Sequence, residues 1–314
     1  MDDLHVDALA RGLASSGTRR RVLTGLATLP VVGGLLGILD ADDAEAGGRM
    51  RRKRRRRRKN KQKNRCQPDC AGTCGGASDG CGGTCGDTCP AGQVCAGESC
   101  EACDVCASGC AHATIQAAIA AASAGDTIRL CAGTYALAAD ETIDIDKALT
   151  IIGAGAGKTG SIIDGQQLAR STAVVRVRRV DPLELRSLSI TGGKRLGADG
   201  DRGGGIENSG QLTLTRVRVT GNQSSAGGGI WMETSSRLTL NAGTAVTRNT
   251  AVNDGGGIFS NGALILNAGS SVTENDAGAG GGGILVAQGS LTIEPGATLA
   301  DNEPNDCFGT GCPT

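Results

Sequence analysis

The side chains with the means to do chemistry recur at one position of a repeat. Glu207, Trp231, Phe259 and Leu285 each directly follow the isoleucine of a Gly-Gly-Gly-Ile start. If those isoleucines face inward on a strand, the four residues must face outward. Arg176 and Arg178 are expected outward on an earlier rung of the same sheet. The chain has one Trp, one Tyr and two Phe, and the Trp and one Phe fall in register on adjacent rungs. The glycines before them are expected to leave a bare shelf. An exposed aromatic pair beside a glutamate and arginines suits a sugar, through ring stacking and charge-assisted hydrogen bonds. The competing readings are that a loop or partner covers the ladder, or that the stack only stiffens the sheet. A second outward pair, Arg216 and Arg218, reads as a solvated face.

Other patterns are weaker. The insertion KRLGADGDR carries Asp199 and Asp201 beside Arg202; loop carboxylates suit calcium, yet Asp-Gly-Asp in a polar insertion is also an ordinary turn. GAGAGKTG from Gly153 resembles a phosphate loop, but Ile152 stands where that loop needs its first glycine. Gly155 to Gly160 fits G-x-G-x-x-G, but a strand, SIIDG, follows it in place of a helix N-terminus. It reads as a turn. The histidines are His5 and His112 alone.

The elements that must position these residues are written four times. The copies start GGGI at Gly203, Gly227, Gly255 and Gly281, and close on Asn222, Asn249, Asn275 and Asn302. A period in the twenties means a unit that cannot bury its apolar face alone and stacks on its copies. Each copy holds three short alternating runs, too short for helices, and three strands make one rung of a parallel β-helix. Ile206, Ile230, Ile258 and Ile284 are expected to stack inward, as are Leu212, Leu238, Leu264 and Leu291. The aligned asparagines suit a tight turn whose amides bond neighbouring rungs, a structural role. PLELRSLSITGG continues the pattern upstream, with Leu183, Leu185, Leu188 and Ile190 inward, and AVVRVRRV, SIIDG, LTIIG and DTIRLCAGTY read as earlier strands. Division of residues 126–306 by the period predicts roughly seven rungs. Before them Ile115, Ala118, Ile119 and Ala122 fall at helical spacing, ended by Gly125; this helix is expected to plug the open end of the solenoid.

HATIQAAIAAASAGDTIRLCAGTY followed by IDIDKALTIIGAGAGKTGSIIDG resembles the N-terminal cap and first rungs of right-handed parallel β-helix proteins of the pectin-lyase-like superfamily. The GGGI and VTxN pair is similar to the repeats of bacterial polymorphic outer-membrane proteins. The resemblance covers about residues 106–306 and implies a right-handed coil. It does not imply one activity, because the superfamily holds lyases, hydrolases, esterases and adhesins. Its pectin hydrolases need paired aspartates and a catalytic histidine, a set not assembled here. For a calcium-dependent polysaccharide lyase the resemblance would point to Arg178, Glu207, Asp199 and Asp201 around Trp231.

The front third concerns export. SGTRRRVLTGLATLPVVGGLLGILDADDAEA resembles a bacterial twin-arginine signal, with Thr18-Arg19-Arg20, a mildly apolar stretch from Val22 to Leu39 and a cleavage site at Ala44-Glu45-Ala46. An uncleaved anchor is the alternative, since thirteen Lys or Arg residues between Arg49 and Arg65 oppose translocation. That basic run has no aromatic residue to stack on bases, so it predicts no specific nucleic acid; anionic envelope polymer or lipid is the expected partner, and a plain spacer the other reading. The fourteen cysteines all follow the cleavage site, eleven of them between Cys66 and Cys110. Such density in a Gly-rich segment predicts disulfides in an oxidising compartment. The spacing of Cys100, Cys103 and Cys106 approaches that of a zinc knuckle, but only His112 could complete it. Cys131 is expected to pair with Cys106 or Cys110, and Cys307 with Cys312. Residues 49–65 carry +13, residues 66–110 carry −6 and residues 111–314 carry −4.

The resulting organisation is a signal (1–46), a polybasic tether (47–65), a Cys-rich module (66–110), a parallel β-helix (111–306) and a disulfide-closed tail (307–314). The expected role is non-catalytic: an exported surface or extracellular scaffold or adhesin of a bacterium, binding polysaccharide through Trp231, Phe259, Glu207, Arg176 and Arg178. The alternative is the lyase. No resident cofactor or metal is expected beyond the calcium option at Asp199 and Asp201, and the oligomeric state stays open.

Overall fold

The computed structural model describes residues 71, 74, 77, 85, 86, 89–96, 98–169, 171–179, 182–196 and 202–313. The expected signal (1–46) and basic tether (47–65), Asp199 and Asp201 lie outside these residues. Among the described residues no helix is long and apolar enough to cross a membrane.

Three parallel sheets of seven strands each wrap one apolar core, so the protein is an all-β parallel solenoid. The first, the Leu sheet, comprises Thr127–Leu130, Thr150–Gly153, Leu183–Arg186, Gln211–Thr215, Arg237–Leu240, Ala263–Leu266 and Ser290–Ile293. The Val sheet comprises Gly133–Ala136, Ser161–Asp164, Leu188–Thr191, Arg218–Thr220, Ala245–Thr247, Ser271–Thr273 and Thr298–Ala300. The Ile sheet comprises Ile143–Ile145, Val175–Val177, Ile206–Asn208, Ile230–Met232, Ile258–Ser260, Ile284–Val286 and Cys307–Gly309. Period-two alternation decides the facing. Ile206, Ile230, Ile258 and Ile284 pair in register and are buried, as are Leu212, Leu238 and Leu264. Burial of each such side chain contributes roughly 1.5–3 kcal/mol. The upstream rung follows the expected register, Leu183 against Leu212 and Ile190 against Val219. Gly155 to Gly160 form the expected turn, leading into Ser161–Asp164.

The asparagines make a buried ladder. Nδ2 of Asn222 donates to Oδ1 of Asn249 at 3.0 Å, Asn249 to Asn275 at 3.0 Å, and Asn275 to Asn302 at 2.9 Å. Each Oδ1 also accepts the backbone N–H of the preceding asparagine. An amide chain that donates forward must end on a pure acceptor. The carboxylate of Asp306 supplies it, taking both the backbone N–H and Nδ2 of Asn302.

The three glycines of each repeat are packed, not bare. Gly227 has φ 63°, where a side chain is strained. A Cβ on Gly228 would stand 2.4 Å from the Thr250 carbonyl oxygen, and one on Gly229 2.9 Å from Nδ2 of Asn249. The expected shelf is therefore the floor on which the next rung lies.

A fourth, short sheet joins Lys194–Arg195, Gln223–Ala226, Thr250–Asp254 and Asp276–Ala277 at the corner after the asparagines. It escapes the sequence because only one residue per rung there turns inward (Ser224, Ala251, Ala277), too few to alternate.

The N-terminal end is closed by the helix Ile115–Ala121, whose Thr114 hydroxyl accepts from Ala117 N at 3.1 Å and which buries Ile115, Ala118 and Ile119. Gln116 hydrogen-bonds both backbone groups of Asp144 on the first Ile-sheet strand. The Cys-rich segment adds a hairpin, Gln93–Ala96 with Ser99–Ala102, tied by Cys74–Cys95 and Cys89–Cys100.

Two expectations are corrected. Cys131 bonds Cys103, while Cys106 and Cys110 bond each other. The reason is that Asp104 and Val105 both donate to Arg129 O, which lays Cys103 beside Cys131, while the bridge from Val105 to His112 folds 106–110 back on itself. The spacing of Cys100 with Cys103 and Cys106 assembles no zinc knuckle here, since Cys100 bonds Cys89. Cys307 and Cys312 do pair, and Gly311 rests on Leu291 of the last rung. That rung runs past residue 306, because Cys307–Gly309 pairs with Ile284–Val286.

Candidate functional site

The outward residues of the Ile sheet form one continuous ladder: Asp144, Arg176, Glu207, Trp231, Phe259, Leu285 and Phe308, each paired in register with the next. Successive strands stand about 4.8 Å apart. Unlike the inner ladders, this one changes chemistry along its length, from ion pairs to aromatic rings to aliphatic surface.

At the charged end, Asp144 is held by two arginines. Arg176 Nη2 approaches its Oδ2 at 3.0 Å and Arg178 Nη2 at 2.6 Å, with both Nε groups on Oδ1 as well. Burial alone would push the Asp144 carboxyl upward; the hydrogen bonds and charges of Arg178 and Arg176 outweigh that and hold it below its ordinary range. The same contact pushes Arg178 above the usual arginine range, and 54% of its side chain remains exposed. One rung on, Glu207 accepts from Arg195 Nη1 at 2.9 Å, and Arg195 also donates to the Arg202 carbonyl.

At the aromatic centre Trp231 and Phe259 stack at 4.2 Å between centroids and 16° between planes. The guanidinium of Arg202 lies over the Trp231 ring at 4.8 Å, and its Nη1 reaches Glu233 at 3.3 Å. Both faces of the indole are therefore occupied. Trp231 is only 7% exposed, and its Nε1 is buried without a hydrogen-bond partner. This corrects the expectation of an exposed Trp–Phe shelf: neighbours above and below cover the indole, and the rungs beneath the glycines fill the shelf. The ladder's surface is instead Phe259, half-buried, and Phe308, 57% exposed, with buried Leu285 between them.

The structure thus brings Arg176, Glu207, Trp231 and Phe259 onto one ladder, with Arg178 beside it through its bond to Asp144, while Asp199 and Asp201 lie outside the described residues. Sequence reasoning missed Asp144, Arg195 and Phe308. Asp144 was findable: extending the register Ile206 to Val175 to Ile143 by one rung places it under Arg176. Arg195 acts from the fourth sheet and Phe308 from a rung past the last repeat, so periodicity pointed to neither.

Chemically, the carboxylates along this ladder and beside it, Asp144, Glu207 and Glu233, each already face a guanidinium. Two concavities of the solenoid lie off the ladder. One, about 450 Å³, is bordered by Ser235, Arg237, Asn261 and Gln288; the other, about 380 Å³, by Ile115, Tyr135, Leu137 and Glu141 near the cap helix. Among the described residues, the groups that bring three metal-ligating atoms within 4.8 Å of one another consist of cysteine sulfur.

No protein-family model, no curated protein and no solved structure matches this chain.

Proposed function

We propose that this chain is an exported, non-catalytic bacterial scaffold that binds envelope or extracellular polysaccharide along the outer ladder of the Ile sheet. The observation that carries the reading is the ladder's make-up, an apolar strip of Phe259, Leu285 and Phe308 continuous with the arginines of the first rungs. A sugar ring would lie on the free surface of Phe308 and the edge of Phe259, with acidic groups reaching Arg178. Five described disulfides fit an oxidising, extracytoplasmic setting. The basic run 49–65 would add salt-sensitive attraction to anionic envelope polymer or lipid.

The scaffold reading is preferred over a lyase because an arginine can act as general base only after losing its own proton. Arg178 is pushed the opposite way by Asp144. The test is retention of the oxidised chain on acidic and neutral polysaccharides, with and without calcium, while unsaturated-uronide absorbance and reducing ends are followed. Retention without product, weakened by Phe308→Ala, is expected. Product lost on Arg178→Ala would make the protein a lyase and sink the scaffold reading.

A further inference from the structure

Sulfur gathers where the Cys-rich segment meets the first rung. The disulfides Cys103–Cys131 and Cys106–Cys110 sit side by side, and the Sγ atoms of Cys106, Cys110 and Cys131 lie within 4.8 Å of one another. With Cys103 bonded to Cys131, four sulfurs share one small volume. Backbone holds them there independently of the S–S bonds. Cys131 N donates to Val105 O at 3.0 Å, Asp104 N and Val105 N to Arg129 O at 2.8 and 3.0 Å, and Cys106 N to His112 O at 3.3 Å. The Tyr135 hydroxyl lies 2.9 Å from the carbonyls of both Val105 and Cys131. Opening the two disulfides would therefore leave four thiols gathered on a largely preformed frame.

The geometry points to a zinc site on Cys103, Cys106, Cys110 and Cys131, filled when the chain is reduced. Tetrahedral zinc takes four thiolates at about 2.3 Å, which sets its sulfurs a little under 4 Å apart; the present cluster needs only small side-chain rotations to reach that. Two residues separate Cys103 from Cys106 and three separate Cys106 from Cys110, both within the spacing of structural zinc sites. Binding moves no electrons: Zn²⁺ displaces four thiol protons and forms four Zn–S bonds. Zinc and the two disulfides exclude each other, because every sulfur serves one or the other. The ion thus pins the end of the Cys-rich segment to the first rung while the chain is reduced; a disulfide-donating oxidant that takes four electrons from the four thiolates forms the two disulfides and releases Zn²⁺. The second sulfur group, Cys74, Cys89 and Cys100, is more widely dispersed in sequence and serves as a comparison.

The test uses the full chain, reduced with a phosphine under argon, with and without zinc, pulsed with iodoacetamide and mapped by mass spectrometry. Zinc is expected to slow alkylation of Cys103, Cys106, Cys110 and Cys131 by about tenfold or more, leaving Cys307 and Cys312 unchanged. Cobalt(II) in place of zinc should give a thiolate-to-metal charge-transfer band, and Cys110→Ser, in the short 106–110 loop, should weaken cobalt binding by a similar factor. Alkylation of the four at the same rate with and without zinc overturns the proposal. So does a cobalt band indifferent to Cys110→Ser.

Discussion

The same strands carry two ladders of opposite character. On the inner face of the Ile sheet, Ile206, Ile230, Ile258 and Ile284 repeat one side chain; on its outer face, Glu207, Trp231, Phe259 and Leu285 never repeat. The inner ladder is constrained by stacking, since every rung rests on the last and a residue that suits one rung suits the next. The outer ladder is free of that constraint, and its variation is where this solenoid is individual. Repetition therefore marks stability, and its breakdown marks the surface on which recognition is built.

The comparison breaks most sharply at the glycines beneath the outer ladder. A Cβ on Gly256 would stand 2.3 Å from Asp276 O and 2.5 Å from Gly282 O, both backbone atoms of the following rung. Neither can yield without parting two rungs. Gly256→Ala is expected to cost more than about 4 kcal/mol, or to split the urea transition in two. A single transition within about 1 kcal/mol of wild type would mean the rungs are loosely stacked and the inner ladders do not govern stability.

Next in size is the asparagine ladder. Asn249→Ala removes the acceptor of Asn222 N and Nδ2 and the donor to Val219 O and to Oδ1 of Asn275. Several buried polar groups are orphaned together, so about 3–5 kcal/mol is expected by denaturant titration. Asn302→Ala, at the ladder's open end, should cost less, because Asn302 is 7% exposed where Asn249 is fully buried, so water reaches the groups it orphans.

The inner half of this comparison was legible in the sequence and the outer half only partly. Ile and Leu at a fixed period announce burial because apolar area is non-directional: a residue type and its spacing suffice. The asparagines were legible for a similar reason, each bonding its own image one rung away. What Trp231 touches was not legible. Its two faces are taken by Phe259, in register, and by Arg202, from an insertion whose path no repeat specifies. The register of Cys103 with Cys131 was hidden likewise, being set by backbone bonds from residues 104 and 105 to Arg129.

Weaker again, and sensitive to acid, is the charged end. The folded state lowers the Asp144 pKa through Arg178 and Arg176, against the upward push of burial. Its contribution is therefore present above the unfolded pKa, about 4, and is lost as the pH falls through the lower folded value. The stability difference between wild type and Asp144→Asn is expected to close progressively as the pH falls below about 4 in parallel urea titrations. A gap that stays constant over that range would mean the arginines do not hold the carboxylate ionised.

The smallest expected effect on stability is also the most informative about function. Phe259→Ala removes a half-buried ring and one stacking partner of Trp231, worth about 0.5–1.5 kcal/mol beyond the area lost. The fold should survive with a loss of about 2 kcal/mol, far less than Gly256→Ala three residues away on the same rung. Trp231 is the chain's one tryptophan, so its emission reports this site without labels. Loss of Phe259 uncovers one indole face to water, and emission should shift to the red. If polysaccharide lies along the outer ladder, added ligand should perturb wild-type emission, and Phe259→Ala should weaken retention by about tenfold while Arg216→Ala, on the Val-sheet side, leaves it unchanged. Retention that is equal in both variants would move the binding surface off the Ile sheet. The outer ladder's variety would then be what unconstrained positions drift to when only the inner face is under strain.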